Sequence, residues 1–478
     1  MNFAIICRTL GNILLVLAAL MLLPLAVGLI YGENVLNFAL TIALTAAIAF
    51  LLSRSKPTSR SLFAKEGFII VGLAWIFISA LGALPFVISG SIPNYIDAFF
   101  ETVSGFTTTG SSVVSNVELM PKGDLFWRSF THWIGGMGVL VFAFAILPLS
   151  GEHSMHIMRA EVPGPTVGKL VPRVHKTARI LYIIYLALTL IQTVFLMFGG
   201  LSLYDALLHA FATAGTGGFS NYAASVGHFD SAYVEMVCAV FMLIFSVNFN
   251  LYFLVLIGRP LQALKNEELR WFGIIVAGAT TAIALGISDM YGSFLTALRH
   301  AFFNVISIIS TTGFCTVDFN TWPEFSKWLI ILLMFCGACA GSTGGGLKVS
   351  RIAILLKAAV CEIRHTVRPR SVNRVRIDGK PVPEQSIHTV LVFFVLYICL
   401  FLLFAFIISF DGFDVCTTFT AALTCISNVG PGLGLVGPTG SFAVFSPLSK
   451  LALSMTMLFG RLEIYPLIIL FARSTWKR

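Results

Sequence analysis

Four turns in this chain carry residue types that could bind a dehydrated cation. Each places a threonine or an asparagine two residues before a glycine, as Thr108-Thr109-Gly110-Ser111, Thr216-Gly217-Gly218-Phe219, Thr311-Thr312-Gly313-Phe314 and Asn428-Val429-Gly430-Pro431. Glycine lets the backbone turn with positive φ and present a carbonyl without a Cβ clash. Uncharged carbonyls can replace an ion's hydration shell, and carboxylate-rich shells suit Mg²⁺ and Ca²⁺. Because the turns contain no acidic residue, they favour a large monovalent cation.

The residues before these turns recur at matched positions. The stretch ending at Gly110 reads DAFFETVSGFTTTG and the one ending at Gly313 reads HAFFNVISIISTTG, which share Ala-Phe-Phe, a serine and Thr-Thr-Gly. DALLHAFATAGTGG and TTFTAALTCISNVG, which end at Gly218 and Gly430, keep parts of the pattern. The alternative is that these glycines only allow helices to pack closely. Four copies at matched offsets favour a pore built from repeats of about 100 residues.

The elements that must position the turns are short helices. The run from His300 to Thr312 is too short to cross a hydrocarbon core of ~30 Å at ~1.5 Å per residue. A chain break at this depth is tolerated only where it is buried in protein or lines an aqueous cavity. Each repeat is therefore predicted as a helix, a re-entrant helix, a glycine turn and a second helix.

The predicted fold is an all-α integral membrane protein with four such repeats in a pseudo-fourfold arrangement. The predicted units are an N-terminal transmembrane hairpin (1–66) and repeats over 67–179, 180–270, 271–386 and 387–478. The ten predicted spans are Cys7–Tyr31, Val35–Leu52, Gly67–Ile88, Phe126–Leu147, Ile180–Phe198, Tyr233–Ile257, Trp271–Ile287, Phe325–Ala359, His388–Ile408 and Pro447–Ala472.

Composition and charge agree with this fold. The 478 residues are 57% hydrophobic and 11% charged, which excludes a soluble globular protein. The net charge of +9 comes from basic residues in loops between spans, a pattern that marks cytoplasmic loops. We therefore expect no nucleic-acid partner, both termini in the cytoplasm and the glycine turns on the outer side. The pair Cys336 and Cys339 lies in an apolar helix and is interpreted as packing.

A glycine-rich segment interrupts the last span of the third repeat. Gly341, Gly344, Gly345 and Gly346 each disfavour a helix by about 1 kcal/mol relative to alanine, so we expect an unwound loop at membrane depth. It is not a phosphate-binding loop, because Leu347 separates Gly346 from Lys348. The loop is either a gate across the pore or a packing kink.

Arg461 is a charge in the middle of the last predicted span. Such a charge is costly and by default marks a pathway or a partner. It could repel permeating cations, hold the glycine loop through its carbonyls, or form a structural ion pair with another helix. Glu463 lies about 200° away on a continuous helix and is a poor direct partner.

These residues resemble the Trk/Ktr/HKT superfamily of potassium transporters, and the N-terminal hairpin resembles its TrkH-type branch. The resemblance covers essentially the whole chain. It implies K⁺ uptake at the bacterial inner membrane, K⁺ rather than a covalent cofactor in the filter, a homodimer, and a cytosolic TrkA-like ring of nucleotide-binding subunits. The site residues it implies are Thr108, Thr109, Gly110, Thr216, Gly217, Gly218, Thr311, Thr312, Gly313, Asn428, Val429 and Gly430 for the ion, and Gly341, Gly344, Gly345, Gly346, Lys348 and Arg461 for gating.

Other functions remain open at this stage. A rocking secondary transporter for Na⁺ or H⁺-coupled cations would use inverted repeats and midplane acids, and a membrane enzyme would need a catalytic cluster. Ser111 and Pro431 stand where the other turns have phenylalanine, which leaves Rb⁺ and Na⁺ permeation open. The basic segment Lys348–Lys380 and the loop Arg159–Arg179 are expected to meet a cytosolic regulator as well as anionic lipid, or to serve topology and lipid alone.

Overall fold

The computed structural model of the protein describes residues 2–55, 64–138, 174–370 and 373–476. Within these ranges the chain is predominantly helical. The helices are α1 (Phe3–Leu20), α2 (Leu22–Ile30), α3 (Leu36–Ser53), α4 (Ala64–Gly82), α5 (Leu84–Ser89), α6 (Tyr95–Phe106), α7 (Lys122–Gly136), α8 (Val174–Phe198), α9 (Leu203–Gly215), α10 (Ala232–Ser246), α11 (Phe249–Leu256), α12 (Pro260–Leu264), α13 (Glu267–Tyr291), α14 (Phe294–Ile309), α15 (Glu324–Cys336), α16 (Val349–Val367), α17 (Glu384–Ile408), α18 (Val415–Ser427), α19 (Pro447–Arg461), α20 (Tyr465–Phe471) and α21 (Arg473–Trp476).

Six continuous segments of the described chain are long and apolar enough to cross a membrane. They correspond to the two arms of the N-terminal hairpin and the first helix of each repeat. Their bounds are Phe3–Ile30, Leu36–Ser53, Lys65–Ser89, Arg179–Phe198, Glu267–Tyr291 and Glu384–Asp411. A seventh span results if the bent pair α10 and α11 is counted as one.

The second element of each repeat is a short re-entrant helix. Helices α6, α9, α14 and α18 have 12, 13, 16 and 13 residues. At ~1.5 Å per residue, none of them spans a core of ~30 Å. Three begin at a side-chain cap that satisfies a free backbone N–H, supplied by Asn94, Ser202 and Asp414. The predicted all-α membrane fold with four re-entrant repeats is confirmed.

The last helix of each repeat is shorter than predicted. Helices α7, α10, α15 and α19 end after 15, 15, 13 and 15 residues. The continuous helix predicted over Tyr233–Ile257 is wrong, because the chain bends by 91° between α10 and α11. The helix predicted over Pro447–Ala472 is also wrong, because Glu463 and Ile464 adopt positive φ and separate α19 from α20.

In the third repeat, α15 and α16 are separated by residues 337–348. The expected unwound segment is therefore present. It replaces the middle of the helix that the sequence predicts over Phe325–Ala359. Part of the first repeat's predicted helix Phe126–Leu147 and much of the basic loop Arg159–Arg179 lie outside the described residues.

The repeats close into a ring through their helix contacts. Each re-entrant helix packs on the last helix of the preceding repeat: α9 on α7, α14 on α10, α18 on α15, and α6 on α19. The final contact joins the fourth repeat to the first. A pseudo-fourfold arrangement follows, with the ends of all four re-entrant helices facing one axis.

A small structure that the sequence analysis did not predict lies in the basic segment. Strands β1 (Arg376–Ile377) and β2 (Lys380–Pro381) form an antiparallel hairpin. The hairpin is fixed to the start of α13, where Asp378 Oδ1 accepts from the Glu267 backbone N–H at 2.7 Å. Lys357 of α16 pairs with Glu267 and donates to the Arg376 carbonyl at 2.7 Å. Short 3₁₀ turns lie at Val117–Leu119, Ser225–Phe229, Phe319–Thr321, Ser409–Asp411, Gly434–Val436 and Phe442–Val444.

Close crossing of α7 and α9 depends on two glycines. A Cβ at Gly215 would overlap the carbonyl of His132, and a Cβ at Gly136 would lie 2.6 Å from the Gly215 Cα. We predict that Gly215→Ala destabilises the purified protein by about 1–3 kcal/mol, because the backbones must separate. Gly273→Ala on α13 is the control, since nothing lies within 4 Å of its Cβ position. The midpoint of thermal unfolding in detergent measures the stability of both variants. Equal midpoints for Gly215→Ala and Gly273→Ala would contradict the close crossing.

Candidate functional site

The four glycine turns share one backbone conformation. The first residue of each is left-handed, with φ of 55° at Thr108, 57° at Thr216, 61° at Thr311 and 55° at Asn428. The glycine two residues later also has positive φ, and the residue between them does not: φ is 83° at Gly110, 76° at Gly218, 81° at Gly313 and 105° at Gly430. Alternating signs of φ turn successive carbonyls toward the same side of the chain. The left-handed threonines carry a steric cost of roughly 1–2 kcal/mol each.

The turns meet in a closed ring. Each glycine Cα approaches the carbonyl of the middle residue in a neighbouring turn so closely that a Cβ would strike it. These pairs are Gly110 with Gly217, Gly218 with Thr312, Gly313 with Val429, and Gly430 with Thr109. In the last pair, the Cβ position of Gly430 is 2.7 Å from the Thr109 carbonyl oxygen. The order follows the chain and returns to its start. The structure therefore brings together all twelve predicted turn residues around one axis.

The surroundings of the ring favour a cation. Helices α6, α9, α14 and α18 all end at the turns, so the partial negative charge of their C-terminal ends faces the ring. A cavity of about 320 Å³ opens beyond the four glycines, and all four glycines line it. None of the described residues lining it is acidic, and Arg128 is the basic residue among them. Attraction for a cation thus comes from carbonyl dipoles.

Side-chain hydrogen bonds fix the turns, and one of them joins two turns. Asn428 Nδ2 donates to Thr109 Oγ1 at 2.9 Å and to the Met457 carbonyl at 3.0 Å, which links the fourth repeat to the first. The hydroxyls of Ser310 and Thr312 lie 2.7 Å apart, as do those of Thr107 and Thr109. The threonine side chains thus take part in bonds that fix the turn.

Three polar side chains behind the ring were not singled out from the sequence. Glu101, Arg128 and His209 are all buried, and each contacts the chain that follows the glycine of a turn, Gly110 or Gly218. The sequence carries a signal for two of them, because Glu101 and His209 both lie nine residues before the glycine of a turn. An ionisable residue in an apolar re-entrant helix is costly and marks a candidate functional position.

The glycine loop lies directly beneath the ring. The Gly345 N–H donates to Thr311 Oγ1 at 2.6 Å, and the Gly344 Cβ position is 2.8 Å from the Ser310 carbonyl. On the other side, the Gly345 Cβ position is 3.0 Å from the Asn428 Cβ. The loop thus contacts two of the four turns. A larger residue at either glycine would collide with the base of the ring.

The loop is held by three other elements. The Cys339 N–H donates to the Ser246 carbonyl at 3.1 Å, and the Phe249 N–H donates to the Gly341 carbonyl at 3.0 Å, so the loop fits the break between α10 and α11. Glu268 Oε1 accepts from the N–H groups of Ala340 at 2.7 Å and Ser350 at 3.0 Å. These bonds satisfy backbone groups that the unwound helix leaves free.

Arg461 contacts the loop from the fourth repeat. Its Nη1 donates to the Thr343 carbonyl at 2.8 Å, and its Nη2 donates to the carbonyls of Gly135 at 2.5 Å and Gly136 at 2.7 Å. It therefore joins the third repeat to the end of α7 in the first. It is the last residue of α19 rather than the middle of a continuous helix, which corrects the geometry assumed from the sequence.

Two cations assigned to the cytoplasmic basic segment are buried instead. Lys348 is 1% exposed and donates from Nζ to the Gly344 carbonyl within the loop. Arg351 is 6% exposed, pairs with Glu463 Oε2 at 2.6 Å and lies over the Phe393 ring. Their charges stabilise the loop and the start of α16, so the exposed basic segment begins further along the chain.

Comparisons with known proteins agree with this geometry. Residues 32–477 match the family model TrkH, described as cation transport protein. The chain is 38% identical over 488 residues to the Trk system potassium uptake protein TrkH of Salmonella typhimurium, and 38% identical over 485 residues to that of Escherichia coli K12, with all of each chain covered. The crystal structure of the potassium transporter TrkH from Vibrio parahaemolyticus superimposes with a TM-score of 0.90 at 35% identity over the whole of both chains. This chain belongs to the TrkH family of cation transport proteins.

Proposed function

We propose that this protein takes up K⁺ across the bacterial inner membrane through the ring of backbone carbonyls. The closed ring, in which four turns of one conformation face a common axis, is the observation that carries the proposal. Such a ring can replace the hydration shell of a monovalent cation. The names of the relatives, which are potassium uptake proteins, support the same ion. Rb⁺ should follow K⁺, and Na⁺ should pass less readily.

The orientation that we propose places both termini in the cytoplasm and the 320 Å³ cavity on the outer side. Exposed basic residues at one end of the molecule support it. Arg364, Arg368, Arg370, Arg374 and Lys380 are exposed near the hairpin of β1 and β2. Positive charge concentrates in cytoplasmic loops. Ions would then enter the ring from outside and leave past the glycine loop.

The glycine loop is proposed as the gate. It lies under two turns, and its position depends on Arg461, whose three carbonyl acceptors come from two other repeats. Arginine keeps its charge under all conditions and presents several donors in a fixed plane, so it can hold carbonyls that have no helical partner. Gly341, Gly344, Gly345, Gly346 and Lys348 are the loop's own contribution.

Partners are proposed from the family resemblance and the exposed charge. A homodimer, a cytosolic TrkA-like ring of nucleotide-binding subunits and anionic lipid are the expected ones. The β1–β2 hairpin supports a protein partner, because its bonds to Glu267 and Lys357 give the basic segment a fixed shape. A segment that served only topology would need no such structure.

The filter is tested by Gly313→Ser. The added Cβ would strike the Val429 carbonyl of the neighbouring turn, so we expect the preference for K⁺ over Na⁺ to fall about tenfold, the effect of ~1.4 kcal/mol. Flux of K⁺, Rb⁺, Na⁺ and Li⁺ into liposomes containing the purified protein measures it. Gly412→Ser is the control, since Gly412 also has positive φ but nothing lies within 4 Å of its Cβ position. Wild-type ion preference in Gly313→Ser would refute the filter at this repeat.

The gate is tested by Arg461→Ala and by deletion of Gly344–Gly346. Either change frees the loop, so basal K⁺ flux should rise about tenfold while ion preference stays the same, because charge-assisted bonds of roughly 1.5–3 kcal/mol are lost. Arg461→Lys should give an intermediate flux, since one ammonium cannot reproduce the planar fork. If Arg461→Ala, Arg461→Lys and the deletion variant all show low K⁺ flux and reduced expression, the loop is a packing kink. A loss of ion preference would place the loop in the filter.

The basic segment is tested by neutralising Arg368, Arg370, Arg374 and Arg376 together. Copurification of a cytosolic nucleotide-binding subunit should fall several-fold, because close charge pairs at interfaces contribute roughly 1 kcal/mol or more each. The matched control neutralises Arg259 and Lys265, which are exposed in the loop before α13. Unchanged recovery of the partner, with weaker binding to vesicles of anionic lipid, would leave only the lipid interpretation.

A further inference from the structure

The buried pair Glu101 and Arg128 joins the chains that leave two neighbouring filter turns. Arg128 Nε donates to Glu101 Oε1 at 2.6 Å, and both side chains are at most 5% exposed. The same carboxylate accepts from Ser112 Oγ at 2.9 Å and from the Val113 N–H at 2.9 Å. Ser112 lies two residues after Gly110. Glu101 therefore fixes the outer side of the first turn.

Arg128 carries the connection into the second repeat. Its Nη1 donates to the Ser220 carbonyl at 2.9 Å, and its guanidinium lies 3.5 Å from the centre of the Phe219 ring. On its other side, Phe219 packs against His132, with ring centroids 4.1 Å apart. Phe219 and Ser220 directly follow Gly218. One buried ion pair thus links the exits of two turns that are adjacent in the ring.

His209 repeats the arrangement of Glu101 one repeat later. Glu101 lies nine residues before Gly110, and His209 lies nine residues before Gly218. Its Nδ1 faces the Asp205 carbonyl at 2.8 Å, and a carbonyl can only accept, so Nδ1 carries the hydrogen. Its Nε2 then accepts from Ser220 Oγ at 3.1 Å, two residues after the filter glycine, as Ser112 is in the first repeat. The ring also stacks on Phe314 of the third turn, with centroids 5.8 Å apart.

The corresponding positions in the other two repeats form no such bond. Asn304 donates from Nδ2 to the His300 carbonyl within its own helix, and Ala421 has no polar atom to offer. In the third and fourth turns, Ser307 and Thr420 bond the chain after the glycine. His300 Nδ1 also lies 3.4 Å from Thr316 Oγ1, three residues after Gly313. Among the described residues, the buried ion pair that links two turns is therefore found between the first and the second turn.

We propose that Glu101, Arg128 and His209 are positioning residues that set the ion preference of the ring. They hold the outer ends of the first two turns at a fixed separation, so that the carbonyls cannot close around the smaller Na⁺. Glu101 also neutralises Arg128, the one basic side chain among the described residues that line the outer cavity. The inference deepens the proposed filter and depends on it.

The test is the K⁺ to Na⁺ flux ratio of Glu101→Gln, Arg128→Lys and His209→Gln in liposomes. Glu101→Gln keeps the shape of the side chain and removes its charge. Arg128→Lys keeps the charge but loses the planar fork through which Arg128 donates to both the carboxylate and the Ser220 carbonyl. We expect the ratio to fall about tenfold for Glu101→Gln, as for loss of a charge-assisted bond, and less for His209→Gln. Basal K⁺ flux should stay low, because the loop and Arg461 are untouched.

Asp97→Asn is the matched control. Asp97 lies one turn before Glu101 on α6 and pairs with Lys450 at 2.7 Å, and neither residue bonds a filter turn. Its ratio should equal that of the wild type. A general loss of helix packing would instead lower the ratio in Asp97→Asn as well, and that result would overturn the proposal.

The double variant Glu101→Leu/Arg128→Met covers the case in which the single variants do not fold. Replacing both members of a buried ion pair with apolar residues is often tolerated, whereas removing one leaves an uncompensated charge. A folded double variant with wild-type ion preference would overturn the proposal, as would wild-type ratios in folded Glu101→Gln and Arg128→Lys. If Gly313→Ser lowers the K⁺ to Na⁺ flux ratio and these variants do not, the proposed filter stands and the positioning role of Glu101, Arg128 and His209 is wrong. If none of them changes it, both are wrong.

Discussion

Free backbone carbonyls at membrane depth are the constraint on which this structure depends. A chain that ends a helix inside a bilayer leaves polar groups that no lipid can satisfy. Four re-entrant helices do this at one level, and the ring is stable because each turn is enclosed by the next. The packing of α6 on α19 closes the circle and lets the first and fourth turns protect one another. An open row of such turns would expose its two ends to lipid.

The same constraint acts again one level below. Helices α7, α10, α15 and α19 all stop after 13 to 15 residues, which releases a second set of carbonyls beneath the ring. Arg461 accounts for three of them, at Gly135, Gly136 and Thr343. The glycine loop of the third repeat fills the break between α10 and α11. One guanidinium and one loop thus complete a layer to which all four repeats contribute.

The turns and re-entrant helices could be predicted because their constraints act on residues that are neighbours in the sequence. Positive φ calls for glycine, and Gly110, Gly218, Gly313 and Gly430 stand at matched offsets in short apolar helices. The glycine loop was predictable for the same reason. The breaks after Ser246 and Arg461 were not, because neither contains a glycine. Glu463 and Ile464 adopt positive φ despite their side chains, and Pro466 just beyond them was the only local signal.

Partners across the ring are the part that local sequence could not supply. Arg461 and Thr343 are 118 residues apart, and Arg351 and Glu463 are 112 apart, so their pairing depends on how the repeats close. The burial of Lys348 and Arg351 likewise does not follow from the charge count, since both belong to the same basic run as the exposed arginines. The family resemblance, not the charge, placed Lys348 with the glycine loop. A charge count assigns a segment to a side of the membrane, but it cannot say which of its members turns inward to satisfy a carbonyl.

Asymmetry between the repeats follows from these two layers. A ring of identical repeats would give every turn the same support, but here the base of the third and fourth turns contacts the glycine loop through Thr311 and Asn428. A loop that moves must leave room beside the turns that it contacts. The ionic connection of Glu101 and Arg128 lies behind the first and second turns, away from the loop. The first and second turns are thus supported by a buried ion pair, and the third and fourth turns by the glycine loop.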